Sequence, residues 1–396
     1  MPPTSGENPT CAAFPAFIST FIDTFVDFSV SGGIFLPSPI PSSPFLTRRP
    51  APDLLVAIGD VHGDLSKLKH SLRLAGLIDA TTDSWSGGSS TLVQVGDVLD
   101  RGGDEIRIMY FMERLKRQAM SVGGSVITMN GNHEIMNVGG DFRFVAKEGV
   151  EEFRNWGFWY QIGEKMKGLC HGLTNESEGK GKGLFEGVQE RFRGVREEYW
   201  EGFRARVAAL RPDGVISRRF LGENVTVLVV GDNVFVHGGL LVNHVEYGLD
   251  RINEEVRDWI KGKAKGLSRE IGKGRDSLVW SRRYSNENEM DCDCETLKRV
   301  LAMIPGAKRM VMGHTIQENG INGVCGNAAI RIDVGMSKGC GDGLPEVLEI
   351  RKSEGLRVLT SNPLYMETRA EAPSEAKVGL GLLLPEHRPK QVEVRA

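Results

Sequence analysis

From Leu54 onward, short apolar runs rich in β-branched residues alternate with stretches of helical periodicity. LLVAI (54–58), TLVQV (91–95) and SVITM (125–129) have the length and composition of buried strands, and the segments 64–76 and 104–121 between them read as helices. That order is βαβαβ, which predicts parallel strands joined by right-handed crossovers. VTVLVV (225–230), NVFVH (233–237), RMVMG (309–313) and AIRIDV (329–334) predict further strands, and Gly231-Asp232-Asn233 suits a hairpin turn between the first two. The expected fold class is α/β, with two mixed β-sheets packed as a sandwich and flanked by helices.

Three segments break this rhythm. At the start, Phe14, Phe17, Ile18, Phe21, Ile22 and Phe25 recur at helical spacing, with Ser19, Thr20, Asp23, Thr24 and Asp27 opposite, which predicts an amphipathic helix docked on the body. A regulatory partner engaging that helix is the other contact expected of it. Residues 36–52 hold six prolines and read as an extended linker, so residues 1–53 form a leader to the main folded body at 54–365. Within the body, residues 139–223 read as a helical insertion. It carries an aromatic cluster, then a polar, Gly-rich stretch, then Phe192, Val195, Tyr199, Phe203 and Val207 as the apolar stripe of a further helix. The last residues, 366–396, are polar and are expected to lie loosely on the surface.

Charge and cysteine content narrow the class. With 49 Lys+Arg against 52 Asp+Glu the chain is nearly neutral, which argues against a partner such as nucleic acid or anionic lipid. No uninterrupted apolar run reaches the length of a membrane span, so no transmembrane segment is expected. No Lys or Arg precedes Arg48, so the basic region of a signal peptide is missing. Six cysteines without a CxxC pair make neither a disulfide scaffold nor a zinc ribbon, and mostly reduced thiols are expected. The cytosol is the expected location, with the mitochondrial intermembrane space as the alternative.

The chemistry sits at the strand ends. The first strand ends in Asp60 and His62, the second in Asp97, Asp100 and Arg101, the third in Asn132 and His133; His237 and His314 follow later strands. In open α/β sheets the functional crevice lies outside the carboxyl ends of the strands. Carboxylate and imidazole groups gathered there suit divalent first-row metals, and Asp60, His62, Asp97, Asn132, His237 and His314 suffice for two ions. Manganese is expected first, with iron or zinc as alternatives.

GDVHGD, GDVLDRG, GNHE, HGGL and GHT, in this order over about residues 54–362, resemble the phosphoprotein phosphatases of the calcineurin-like metallophosphoesterase fold. GNHEIMN, VMGHTIQ and RIDVGMSKG are similar to the Shewanella-like protein phosphatases of bacteria and plants, while FVDFSVSG and KQVEVRA resemble their second plant class. The resemblance implies hydrolysis of phosphomonoesters on phosphoproteins through two ions that activate a bridging water. Asp60, His62 and Asp97 would hold one ion; Asp97, Asn132, His237 and His314 the other. His133 would be the general acid, Asp100 its orienting partner, and Arg101 a fork on the phosphoryl oxygens. The main serine/threonine phosphatases carry a second phosphate-binding Arg in an N-D-R-G stretch that this chain lacks. SLVWSRRY offers Arg282 and Arg283 instead, and Arg282 is the expected replacement.

Two other readings share these motifs: hydrolysis of diadenosine tetraphosphate, and a scaffold that has lost its metal. A phosphopeptide assayed beside a dinucleoside polyphosphate separates the first, and metal analysis the second. Whether the substrate is phosphotyrosine or phosphoserine/threonine stays open in the motifs. Phe142, Phe153, Trp156, Phe158, Trp159 and Tyr160 form either the core of the insertion or a wall that deepens the site. In the second case a long phosphotyrosyl side chain would be preferred and Trp159 would matter to that preference.

Overall fold

The computed structural model describes residues 15–36, 45–169, 183–286, 288–352, 355–362 and 390–391. Phe14, most of the Pro-rich linker and nearly all of 366–396 lie outside them. In chain order the strands are β1 (Arg48–Arg49), β2 (Leu54–Ile58), β3 (Thr91–Gln94), β4 (Ser125–Thr128), β5 (Val227–Val230) and β6 (Asn233–Val236). They continue with β7 (Arg309–Met312), β8 (Asn322–Val324), β9 (Ala329–Arg331), β10 (Glu346–Arg351), β11 (Gly355–Thr360) and β12 (Lys390–Gln391). Two six-stranded sheets result, in the orders β12-β11-β10-β2-β3-β4 and β1-β5-β6-β7-β9-β8.

Strands β2, β3 and β4 are parallel, as the βαβαβ pattern requires. Their residues are buried almost throughout, which is why they read as continuous apolar runs without alternation. β5 and β6 form the expected hairpin, with Val230 opposite Asn233 and Gly231 at φ 61° in the turn. In the second sheet β6, β7 and β9 are parallel. The hairpin β10–β11 was not visible as strands, because Glu346, Glu349 and Arg351 interrupt the apolar pattern. Glu349 is buried there, and Arg351 and Arg357 lie 2.8 and 3.4 Å from its carboxylate.

Helix α1 (Pro15–Val30) docks on the body, but not by the face its phenylalanines suggest. Ile22, Val26 and Val30, one turn apart, are buried, whereas Phe17, Phe21 and Phe28 point to solvent. Asp27, expected on the outer face, turns inward and accepts from Tyr110 Oη (2.7 Å) and Arg219 (2.8 Å). Helices α2 (Leu65–Leu74) and α3 (Glu105–Ser121) link the parallel strands, α2 starting at Asp64, whose carboxylate accepts from the Lys67 amide. The short α4 (Asn132–Val138) follows β4 directly.

The insertion is helical, with α5 (Lys147–Gly168), α6 (Trp200–Leu210) and α7 (Val215–Arg219). Of the predicted stripe, only Phe203 and Val207 lie on α6, and both are half-buried, while Phe192, before the helix, is buried. Gly202, Ala205, Arg206 and Ala209 form the buried face of α6 instead, because small residues let it approach α5 closely. A Cβ on Gly202 would stand 2.4 Å from the Val150 carbonyl. No described helix is long and apolar enough to cross a membrane.

Candidate active site and metal centre

The carboxyl ends of β2, β3 and β4 in one sheet and of β6 and β7 in the other bring the predicted ligands together. Asp97 is the hub. Its Oδ2 lies 3.1 Å from His237 Nε2, 3.7 Å from His62 Nε2 and 3.8 Å from His133 Nε2, and its Oδ1 accepts from the His133 amide (3.0 Å). Asn132 Oδ1 is 2.8 Å from His237 Nε2. Asp60 accepts from the His314 amide (3.1 Å) and comes within 4.0 Å of His237 Nδ1. All six predicted ligands are buried.

The local backbone is shaped for this convergence. His62, Asp97, Asp100, Arg101 and His314 all have φ between 43° and 69°, a left-handed conformation that costs non-glycine residues energy and concentrates at functional sites. Two glycines leave room for the carboxylates: a Cβ on Gly131 would stand 2.2 Å from Asp97 Oδ1, and one on Gly313 2.3 Å from Asp60 Oδ1. Glu134, inside the GNHE motif, fixes the turns by accepting from the amides of Asp97 (2.8 Å), Gly131 (2.7 Å), Val98 (2.9 Å) and Leu99 (3.1 Å).

The donor set fits divalent cations. His62 and His237 each hold a backbone carbonyl with Nδ1, Leu99 O at 2.9 Å and Val95 O at 3.1 Å, leaving Nε2 aimed at Asp97. That is how metal-ligating imidazoles are oriented. His314 Nε2 is buried with no hydrogen-bond partner, an orphan that a cation would satisfy. Two trios, His62–Asp97–His133 and Asp97–His237–His314, keep their ligand atoms within 4.8 Å of one another.

Electrostatics agree. Burial pushes the His62 imidazole down to about 4, and burial with the neighbouring His237 and Arg282 holds His314 well below its ordinary value, so both stay neutral and free to ligate. Burial would raise Asp97, yet the imidazoles of His237 and His133 keep it well below the usual carboxylate range. Burial and the adjacent Asp333 push Asp60 well above it. A dication among these carboxylates would remove that penalty.

His133 stands beside this centre, its ring 4.6 Å from that of His62. Its Nδ1 lies 2.6 Å from Asp100 Oδ2, and its Nε2 faces Asp97 Oδ2 at 3.8 Å. Burial opposes its charge, but Asp97 and Asp100 raise its pKa above the ordinary imidazole value. Arg101 lies over the Phe144 ring at 5.2 Å, and its buried Nε has no partner. Arg282 donates to Thr315 Oγ1 (3.3 Å), next to His314, whereas Arg283 turns outward to Asp276 (3.0 Å).

Several neighbours were not singled out as site residues. Asn137, one turn after His133, donates to Asp100 (3.0 Å), and Arg206 from the insertion reaches the same carboxylate. Asn137 and Asp333 lie inside GNHEIMN and RIDVGMSKG and could have been found there; Arg206 and Glu105 could not. Phe144, with its ring 5.2 Å from that of His133, and Trp280, edge-on to His314 at 5.6 Å, are aromatics that flank the site. Trp159 instead packs edge-on against Phe25 of α1 at 5.6 Å, so the expectation that it lines the site is corrected. Phe153 and Trp156 are buried core of the insertion. The cysteines also differ from expectation: Cys294 and Cys325 form a disulfide with Cα atoms 5.3 Å apart, while Cys292 and Cys340 are free.

Comparison with known proteins places this constellation. The calcineurin-like phosphoesterase family profile matches residues 54–318. Shewanella-like protein phosphatase 2 of Arabidopsis thaliana is 58% identical over 399 residues, spanning 99% of this chain and 100% of that protein. Shewanella-like protein phosphatase 1 of Plasmodium berghei is 29% identical over 292 residues, 72% of this chain and 67% of the relative. The crystal structure of a cold-active protein-tyrosine phosphatase from a psychrophilic Shewanella superposes with a TM-score of 0.54 at 22% identity, covering 82% of this chain and 80% of that one, and so shares the fold. With buried His and Asp ligands at the meeting point of two sheets, the chain belongs to the calcineurin-like phosphoesterases and, among them, to the Shewanella-like protein phosphatases, metal-dependent hydrolases of phosphoproteins.

Proposed function

We propose that this phosphatase prefers phosphotyrosine, uses two divalent ions with manganese favoured, and divides its chemistry among the residues assigned below. Asp60, His62 and Asp97 would hold one ion, and Asp97, Asn132, His237 and His314 would hold the other. When bound, the ions supply a nucleophilic water at neutral pH and charge to match the phosphoryl group. Arg101, whose Nε lacks a partner, donates to the phosphoryl oxygens, and Arg282 does so from the His314 side. His133 gives its Nε2 proton to the leaving oxygen, while Asp100 holds the opposite nitrogen and keeps the ring aimed.

The observation that carries the substrate preference is Phe144. It is 39% exposed, faces the His133 ring and lies beneath the Arg101 guanidinium. An aromatic leaving group protonated by His133 would lie against that ring, a contact an alkyl side chain cannot match. The name of the Shewanella neighbour, a protein-tyrosine phosphatase, points the same way. Matched phosphotyrosine, phosphothreonine and phosphoserine peptides test this: the tyrosine peptide should be cleaved at least tenfold faster, and Phe144→Ala should narrow the gap whereas Trp159→Ala should not. Equal rates on all three peptides would overturn it.

For the compartment, the cytosol remains our reading. The intermembrane space of mitochondria is the second reading, and the Cys294–Cys325 disulfide is the observation that favours it. A regulatory protein partner would meet α1 on its outward row of Phe17, Phe21 and Phe28.

A further inference from the structure

Arg206 is fully buried, although it lies on α6 of the insertion, 106 residues from the Asp100 it contacts. A charged side chain without solvent must be paired and hydrogen-bonded, and this one is. Its Nη2 donates to Asp100 Oδ1 (2.9 Å), to Glu105 Oε1 (2.9 Å) and to Asn137 Oδ1 (2.7 Å). Its Nη1 pairs with Glu105 Oε2, and its Nε donates to Asn137 Oδ1 (2.9 Å). The Phe153 ring, 4.7 Å from the guanidinium carbon, packs on its face. The Phe142 ring lies 5.8 Å from the same carbon, so the plane is held by its edge acceptors and by aromatic neighbours.

The partners of Arg206 are the partners of the acid. Asp100 Oδ2 accepts from both His133 Nδ1 and Asn137 Nδ2, and Asn137 Nδ2 also donates to the His133 carbonyl. Asp100 itself sits at φ 69°, a conformation its surroundings must impose, and Glu105 accepts from its amide. Arg206 thus grips Asp100, Asn137 and Glu105 at once, behind the imidazole. Lys would supply the charge but not the planar fork that reaches three acceptors.

We infer that Arg206 is a positioning residue for catalysis: through Asp100 and Asn137, the insertion holds His133 at the angle from which its proton reaches the leaving oxygen. The inference rests on His133 being the general acid. It makes the insertion part of the catalytic apparatus and not only a cover for the site.

The experiment compares p-nitrophenyl phosphate, whose leaving group departs without help, with phenyl phosphate, whose leaving group needs the proton. His133→Asn comes first: it should lose far more kcat on phenyl phosphate, and equal losses on both would sink the acid assignment rather than the role of Arg206. Given that difference, Arg206→Gln should lose roughly tenfold more kcat on phenyl than on p-nitrophenyl phosphate, a part of the ~10²–10⁴-fold that general acid catalysis contributes. KM should change little, and Arg206→Lys should recover part of the loss. Adding Arg206→Gln to His133→Asn should cost no further leaving-group-dependent rate. Because Arg206→Gln leaves two buried carboxylates without their cation, Glu105→Gln/Arg206→Gln carries the same comparison if the single variant does not fold. A merely structural arginine would lower both substrates by the same factor in either variant, and that result overturns the inference.

Discussion

Two adjacent arginines meet opposite surroundings. Arg282 donates to Thr315 beside His314, a proposed metal ligand, while Arg283 lies in a half-exposed ion pair with Asp276. Arg282→Ala should therefore cost roughly 2–4 kcal/mol of transition-state stabilisation, read as a fall in kcat/KM on a phosphopeptide. Arg283→Ala breaks a surface pair worth at most about 1 kcal/mol and should leave the rate near wild type. Comparable losses from both would remove Arg282 from the phosphate site. The contrast also shows what single residues disclose in sequence. Asp60, His62, Asp97, Asn132, His237 and His314 were legible because each ends a strand in a polar cluster, and strand ends converge. Arg206 was not, because its meaning lies in Asn137 and Asp100, 69 and 106 residues away, and no periodicity links such positions.

Among the elements, β2, β3 and β4 were readable because parallel buried strands carry unbroken apolar runs, and the antiparallel β5–β6 hairpin because Gly231-Asp232-Asn233 marks its turn. Helix α1 was readable as a helix but not in its orientation. The branched side chains of Ile22, Val26 and Val30 lie in contact with the body, and Gly163 of α5 makes room for Val26, since a Cβ there would stand 2.7 Å from its Cγ2. The phenylalanines occupy the neighbouring stripe. Helix α3 holds a different kind of tension. Lys116 projects its ammonium to Thr128 Oγ1 of β4, and burial pushes its pKa down from 10.5 to about 8. The folded state disfavours the charged amine, so below pH 8 this lysine costs stability. Between pH 8 and 10.5 the folded protein gives up the proton before the unfolded chain does, and the cost disappears. Lys116→Met should thus raise Tm at pH 7, with the gain shrinking toward pH 10; a gain independent of pH would contradict the burial argument.

The whole molecule is organised around a junction. Its candidate ligands come from both sheets, and the buried carboxylates Asp60, Asp97 and Asp333 meet there. Cations bound only by the folded state stabilise it, by about 2.7 kcal/mol at one hundred times Kd. Chelation should therefore lower Tm, manganese should restore it, and Asp97→Asn should blunt the response; a Tm indifferent to chelator would deny the centre its cations. The junction also sets an order of events. The Asp60 carboxylate waits 254 residues for the amide of His314. A chain emerging from the ribosome carries Asp60, His62, Asp97 and Asn132 long before His237, and β7 with His314 comes later still. For much of its synthesis the proposed ligand set is half-assembled, and it closes only when β7 has brought His314 to the junction.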